Sequence, residues 1–295
     1  MIMESKKLCD LCPRECKVDR ERGLGFCSVP NEFYISRIAL HQWEEPSVSG
    51  TRGSGTVFFS GCNLRCVFCQ NKKISRSAAG RVYTEDELIS EMLRLQNEGA
   101  HNINLVTPTH YASSLAKLLR KAKPLLNIPI VWNSGGYESV ETLKMLDGLV
   151  DVYLPDLKYF SSELSQKYSS APDYFNVARE AIKEMHRQVG ESVIEDGLIK
   201  KGIVVRHLVL PSCRGDSIRL IEELASFLPV SEVRLSIMRQ FTPDFVDGER
   251  YPELKRKVTS FEYDSVVKRA LSLGFDGYTQ SGSAATAAYT PDFED

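Results

Sequence analysis

Apolar and polar positions follow a strand-and-helix rhythm from about Val82 to Met238. Short apolar runs are typical of buried strands, and apolar residues three or four apart are typical of amphipathic helices. The clearest helix start is a capping box from Thr84 to Glu87, which apolar residues follow at helical spacing. The pattern predicts helices over 84–95, 111–123, 139–146, 172–189 and 217–228, and strands over 55–59, 103–106, 128–132, 150–154, 202–210 and 232–238.

Strands and helices that alternate in this way form a parallel sheet covered by helices. The sequence therefore predicts an α/β fold, a partial (β/α)6 TIM-like barrel over residues 46–280. Residues 1–45 hold four cysteines and are predicted to form a small N-terminal Cys-rich metal-binding module, and 281–295 a C-terminal tail. Parallel sheets carry their reactive residues at the carboxyl ends of the strands. These ends are polar, charged or glycine-rich here, so we expect the functional site there.

The composition is that of a soluble globular protein, with 42% apolar and 26% charged residues. A net charge of −2 gives no electrostatic reason to expect a nucleic acid or an anionic membrane as partner. The first residues lack the apolar segment of a signal peptide, and no apolar run approaches the ~18 residues of a membrane helix. We therefore expect a cytoplasmic protein.

The eight cysteines are clustered. Four fall within residues 9–27, three within 62–69, and Cys213 stands apart. A disulfide scaffold is typical of a short secreted chain, whereas clustered cysteines in an intracellular chain more often bind metal. The clustering therefore favours metal centres over disulfides.

The second cluster, Cys62, Cys66 and Cys69, has C-x3-C-x2-C spacing in a loop directly after a predicted strand. A cubane iron–sulfur cluster in an electron-transfer protein is normally held by four thiolates. A loop that supplies three leaves one iron free to bind another ligand. A zinc knuckle or three unrelated thiols is the alternative interpretation.

This spacing, with the aromatic Phe68 before the last cysteine, resembles the radical S-adenosylmethionine (SAM) superfamily. Together with 9–16, 102–110 and 156–158, it resembles the uncharacterised homologues of pyruvate formate-lyase activating enzyme. The resemblance implies a [4Fe–4S] cluster on the three cysteines, with SAM bound at the open iron. Reductive cleavage of SAM would then give a 5′-deoxyadenosyl radical that abstracts hydrogen, with an electron from a donor such as flavodoxin or ferredoxin.

The resemblance also implies which residues bind SAM. An aromatic ring packs near the adenine, and the segment after the second strand, a glycine-rich motif in the family, receives the methionyl amino group. The segment after the third strand lies near the ribose, and an Asp-Leu-Lys motif places its lysine near the carboxylate. In that order these are Phe68; Thr107, Pro108 and Thr109; Asn133 and Ser134; and Lys158 with Asp156. Arg206 and Gln240 complete the set, and Gln240 stands where activating enzymes carry a histidine.

The first cluster, Cys9, Cys12, Cys16 and Cys27, has C-x2-C-x3-C-x10-C spacing. Four thiolates close a tetrahedral shell around zinc or a single iron. They equally suit a second, fully ligated iron–sulfur cluster, and reduced free thiols are the third possibility. A closed ligand shell argues against a catalytic role for this group.

Cys213 follows a predicted strand end and is a candidate catalytic residue, as a hydrogen-atom or proton donor. An incomplete barrel is open at one side, which favours a protein or peptide substrate, as in glycyl-radical activation. A radical enzyme that acts on a small molecule is the second hypothesis. A non-catalytic iron–sulfur scaffold or sensor is the third.

Overall fold

The computed structural model describes residues 8–285 and residue 293, and it confirms an α/β partial barrel. The described strands are β1 (Phe33–His41), β2 (Ser54–Phe59), β3 (Arg81–Tyr83), β4 (Ile103–Val106), β5 (Ile130–Ser134), β6 (Val152–Pro155), β7 (Val193–Glu195), β8 (Leu198–Leu208), β9 (Arg234–Met238) and β10 (Asp276–Thr279). The described α-helices are α1 (Pro46–Ser49), α2 (Lys72–Ser75), α3 (Glu85–Asn97), α4 (Ala112–Ala122), α5 (Val140–Lys144), α6 (Ser162–Ser169), α7 (Tyr174–Val189), α8 (Arg214–Phe227) and α9 (Ser260–Ser272).

The sheet has the order β10-β9-β8-β6-β5-β4-β2-β1-β3 along the described chain. All six predicted strands are present and mutually parallel, as β2, β4, β5, β6, β8 and β9. Three strands extend the sheet beyond the prediction: β10 pairs in parallel with β9, while β1 and β3 add an antiparallel edge beside β2. A fourth, β7, forms a hairpin with β8. The described sheet therefore has two different end strands and forms an open barrel.

The helices begin where local chemistry favours it. Thr84 and Glu87 form the predicted capping box of α3, in which each side chain accepts from the other residue's backbone N–H. Thr259 and Glu262 do the same for α9, which the apolar pattern did not predict. The Ser161 hydroxyl caps α6 by accepting from the backbone N–H groups of Glu163 and Leu164. These helices cover the outer face of the sheet, where the main apolar core lies.

The amino-terminal end of the barrel interior is filled by α1. Val48 of this helix is fully buried and packs with aliphatic side chains of β5, β6 and β8. The Tyr278 hydroxyl of β10 donates to Ser47 Oγ at 2.6 Å. The chain therefore leaves β1 and returns into the barrel before it enters β2, so residues before 46 also contact the barrel interior. The proposed boundary between residues 45 and 46 remains a prediction.

Candidate active site

The cysteine triad lies in the loop between β2 and α2, at the carboxyl end of the first parallel strand. The loop begins at Gly61, whose φ is +82° and where a Cβ would lie 2.6 Å from the Cys27 carbonyl oxygen, so only glycine fits. Backbone and side-chain donors hold the sulfurs. Leu64 N–H donates to Cys62 Sγ at 3.3 Å, and Ser169 Oγ donates to Cys66 Sγ at 3.0 Å.

The three thiols fit the requirements of a metal–thiolate centre. Burial raises the pKa of Cys62 and of Cys69, and repulsion from Cys66 raises both further, whereas the Lys158 charge lowers them. Three thiolates in one buried loop are therefore unfavourable without a cation among them, and bound iron would supply that cation. Each thiolate of a cubane cluster binds a different iron, so the thiols need not converge on one point.

A cavity of about 220 Å³ opens beside this loop at the carboxyl ends of the strands. Cys66 and Cys69 line it. So do six of the residues that the resemblance assigns to SAM, namely Phe68, Asn133, Asp156, Lys158, Arg206 and Gln240. The remaining predicted residues, Cys62, Thr107, Pro108, Thr109, Ser134 and Cys213, are not among its lining residues.

A buried chain of charges crosses the floor of the cavity. Lys158 Nζ lies 2.5 Å from Asp156 Oδ2, and Arg206 Nε lies 2.9 Å from Asp156 Oδ1. Burial alone would raise the pKa of Asp156, but Arg206 and Lys158 outweigh it and hold the pKa below its usual value. Burial likewise opposes the charge on Lys158, and Asp156 overcomes it, so the pKa of Lys158 is raised. Both groups therefore remain charged at neutral pH.

Glu44 is a cavity residue that the sequence analysis missed. Its Oε2 lies 3.1 Å from Arg206 Nη1, and its Oε1 accepts from the side-chain amides of Asn104 and Asn133. Arg206 Nη2 in turn donates to Asn133 Oδ1 at 2.6 Å. The carboxylate reaches these strands because the segment after β1 turns back into the barrel. No motif marks Glu44; the acidic pair before Pro46 is the only signal in the sequence.

Thr109 and Ser134 are held by a second missed residue, the buried Glu138. Thr109 Oγ1 donates to Glu138 Oε1 at 2.7 Å, and Ser134 Oγ donates to Oε2 at 3.0 Å. Trp132 Nε1 also donates to Oε1, at 2.9 Å. These hydroxyls therefore support the strand ends rather than face the cavity.

Thr107 has a φ of +60°, the left-handed conformation that glycine adopts most readily. It stands where the resembled family has a glycine-rich motif. Its N–H donates to Asn133 O at 2.8 Å, which joins the ends of β4 and β5. Thr107 thus adopts the left-handed conformation at the end of β4 although it is not glycine.

Cys213 precedes α8 and is 8% exposed. Burial raises the pKa of its thiol to about 12, so the thiol is neutral at physiological pH. Its catalytic role remains a prediction.

The four N-terminal cysteines are gathered by a folded-back segment. Cys9 N–H donates to Val18 O, and Lys17 N–H donates to Cys9 O, both at 2.9 Å. Burial, with a smaller contribution from Cys9 and Cys16, raises the pKa of Cys12 to about 11. The same two thiols contribute to the raised pKa of Cys27, after burial. The four sulfurs are thus near enough to interact electrostatically.

Within residues 8–285 and 293, no three His, Cys, Asp or Glu side chains converge closely enough for a single metal ion. No described helix has the length and apolar character needed to cross a membrane.

Comparison with known proteins agrees with this geometry. The family model of the radical SAM superfamily matches residues 56–202, which include the triad and the ends of β2, β4, β5 and β6. The uncharacterized protein MJ0674 of Methanocaldococcus jannaschii is 30% identical over 284 residues, which cover 92% of this chain and 76% of that protein.

Solved structures that share the fold include spore photoproduct lyase and SuiB. Spore photoproduct lyase matches 81% of this chain and 79% of its own, with a TM-score of 0.54 and 14% identity. Streptococcus suis SuiB bound to the precursor peptide SuiA matches 75% of this chain but 46% of its own, with a TM-score of 0.52 and 14% identity. From the matched sequences, the shared fold and the cysteine triad at its strand ends, we conclude that this chain belongs to the radical SAM superfamily.

Proposed function

We propose that this protein is an activating-enzyme-like oxidoreductase that cleaves SAM reductively and abstracts a hydrogen atom from a protein or peptide. The family implies a [4Fe–4S] cluster and SAM. When bound, this pair supplies the electron and the 5′-deoxyadenosyl radical. The observation that carries the proposal is the cavity in which Cys66 and Cys69 of the triad meet the Lys158–Asp156 pair.

The chain's own residues would bind and orient SAM. Cys62, Cys66 and Cys69 would hold three irons and leave the fourth open. Lys158 places a buried ammonium beside the triad loop, where it can bind a carboxylate with a charge-assisted hydrogen bond. Arg206 keeps Asp156 ionised, and so keeps the lysine positioned.

An aromatic wall on the triad side of the cavity suits a nucleobase. The Phe68 ring centroid lies 6.2 Å from that of Phe241 and 6.4 Å from that of Tyr159, both in edge-to-face geometry. This packing buries Phe68 and restricts its orientation. An adenine ring could therefore stack or pack on Phe68 without reordering it.

Several features support a peptide as substrate. The described sheet is open, and the cavity is lined by groups that can hydrogen-bond a peptide backbone, including Gln70, Asn71 and Thr242. Trp43, 58% exposed, also lines it and offers an apolar contact for a side chain. SuiB, whose fold is similar, has been solved with a precursor peptide. We further propose a cytoplasmic location and a flavodoxin or ferredoxin as electron donor.

The first experiment tests the reaction class. Anaerobically reconstituted protein should carry about four irons at the triad and release 5′-deoxyadenosine from SAM under a strong reductant. A Cys62→Ala, Cys66→Ala, Cys69→Ala variant should lose those irons and the cleavage activity. If the wild type holds its cluster and never cleaves SAM, the scaffold interpretation replaces the proposal.

The second experiment tests the substrate class. Extract from cells grown in deuterated medium is separated by dialysis into macromolecular and low-mass fractions, and each is incubated with enzyme, SAM and reductant. We expect deuterium in 5′-deoxyadenosine with the macromolecular fraction only, and none after that fraction is digested with protease. Transfer from the low-mass fraction would establish a small-molecule substrate instead.

A further inference from the structure

The N-terminal segment contains a buried cation without an acidic partner. Arg20 is 6% exposed, and its two terminal nitrogens donate to the carbonyl oxygens of His110 and Pro30. Its Nε is buried without a hydrogen-bond partner among the described residues, and none of their carboxylates pairs with it. A buried guanidinium is costly unless a negative charge compensates it.

The candidate counter-charge is the group of four thiols beside Arg20, which are thiolates only when they bind a metal. Arg20 donates to the Pro30 carbonyl, and the adjacent Val29 carbonyl accepts from Cys27 Sγ at 3.9 Å, which places the guanidinium beside this thiol. Four thiolates around metal carry a net negative charge for both zinc and an iron–sulfur cluster. The buried guanidinium therefore indicates that these thiols are occupied by metal rather than free.

The arrangement of the thiols favours a cluster over a single ion. Four thiolates on zinc converge on one point. No such convergence occurs in the described chain, either here or at the triad, where the family implies a [4Fe–4S] cluster. Phe26 N–H also donates to Cys16 Sγ at 3.2 Å, the type of contact that tunes a cluster's potential.

The segment packs directly on the triad loop. Cys62 N–H donates to Cys27 O at 3.3 Å, and Arg14 Nε donates to Asn63 O at 2.8 Å. Arg65 Nη2 donates back to Phe26 O at 3.2 Å. On its other side, Cys9 is partly exposed and lines a surface cavity of about 490 Å³. The four thiols therefore lie between solvent and the triad.

We propose that Cys9, Cys12, Cys16 and Cys27 hold a second [4Fe–4S] cluster, with Arg20 as its buried counter-charge, and that this cluster passes electrons to the triad centre. An external low-potential donor is oxidised by one electron, the second cluster is reduced and then reoxidised, and the triad centre gains the electron. No bond is made or broken and no proton moves. Only the identity of the electron acceptor rests on the function proposed above.

The metal content tests the site independently of that function. Anaerobically reconstituted wild type should contain about eight irons and no zinc, and the triple alanine variant of the triad should retain about four irons with an iron–sulfur EPR signal. A Cys9→Ser, Cys12→Ser variant should retain the other four. One zinc with about four irons in the wild type, or a triple variant without iron, would overturn the cluster.

Arg20 tests the counter-charge in protein that keeps all four thiols. In the triad triple variant, Arg20→Gln should shift the second cluster's signal to lower potential in an EPR redox titration, because a lost positive charge disfavours the reduced state. Arg20→Lys should restore the potential. The matched control is Arg22→Gln, since Arg22 is a largely exposed arginine paired with Asp19, and it should leave the potential unchanged. An equal shift in that control, or no shift with Arg20→Gln, contradicts the assignment.

The relay is tested by stopped-flow reduction with reduced flavodoxin as donor. The triad cluster of the Cys9→Ser, Cys12→Ser variant should be reduced more slowly than in the wild type, while equilibrium reduction by dithionite is the same in both. Equal rates with flavodoxin would show that electrons reach the triad without the second cluster.

Discussion

Substitution of Lys158 distinguishes a role in binding SAM from a purely structural role. Its ammonium lies 2.5 Å from Asp156, which is also held by Arg206 at 2.9 Å. Lys158→Ala therefore leaves the carboxylate with one cationic partner. We therefore expect Lys158→Ala to lower the free energy of unfolding by only about 1 kcal/mol. A buried charge left with no partner would cost roughly 3–5 kcal/mol.

The expected effect on SAM is larger. A hydrogen bond to a charged group contributes roughly 1.5–3 kcal/mol. Lys158→Ala should therefore raise the Kd of SAM roughly ten- to hundredfold, with the iron content unchanged. Lys158→Arg should recover part of the affinity because it keeps the charge. Isothermal titration of SAM into anaerobically reconstituted protein measures both.

A matched control lies at the other end of the same strand. Lys123 Nζ is 2.8 Å from Asp151 Oδ1, just before β6, whereas Asp156 follows β6. Lys123→Ala removes the same type of ion pair far from the cavity, so the Kd of SAM should stay the same. Unchanged affinity in Lys158→Ala, together with a clear fall in melting temperature, would refute the reasoning and assign Lys158 to the scaffold.

Three further predictions concern the surroundings of the cavity. Glu138→Ala leaves three buried donors without an acceptor and should lower the free energy of unfolding by roughly 3 kcal/mol, as measured by urea denaturation. Glu141 is exposed, so Glu141→Ala should leave the free energy of unfolding unchanged. Burial, and to a smaller extent Arg20, lowers the pKa of His110 to about 3. As the pH falls from 7 to 5, His110 is protonated in the unfolded chain but not in the folded one, so the protein should lose about 2 kcal/mol of stability over this range. Urea denaturation of His110→Gln should show a correspondingly flatter pH dependence. Gly61→Ala should reduce the iron content of the reconstituted protein, because its Cβ would clash with backbone, while Gly148→Ala, also at positive φ but with open space, should retain all the iron.

Local patterns predicted the parallel strands well and the sheet edges poorly. The mainly apolar run of β4, Ile103–Val106, was predicted with the bounds that the structure has, because both faces of that strand are buried. The edge strand β10 is mostly exposed and contains Asp276 and Gly277, so it has no apolar signature. β1 was not predicted either, because its pattern is only half-buried and its pairing with β2 is a long-range contact.

The sequence by itself predicted which candidate residues lie at the strand ends. Spacing within one loop identifies Cys62, Cys66 and Cys69, and the strand order along the chain places Asp156 and Lys158 at the same edge of a parallel sheet. Both inferences use neighbours in sequence, or the rule that parallel strands share an edge. Neither requires knowledge of how distant segments pack.

Tertiary structure alone decided which polar groups face the cavity. Glu44 reaches Arg206 across 162 positions of sequence because α1 turns back into the barrel. Thr109 and Ser134 sit at the predicted strand ends, yet a buried carboxylate binds their hydroxyls. Buried polar groups must find partners, and those partners are chosen by packing in three dimensions rather than by spacing along the chain.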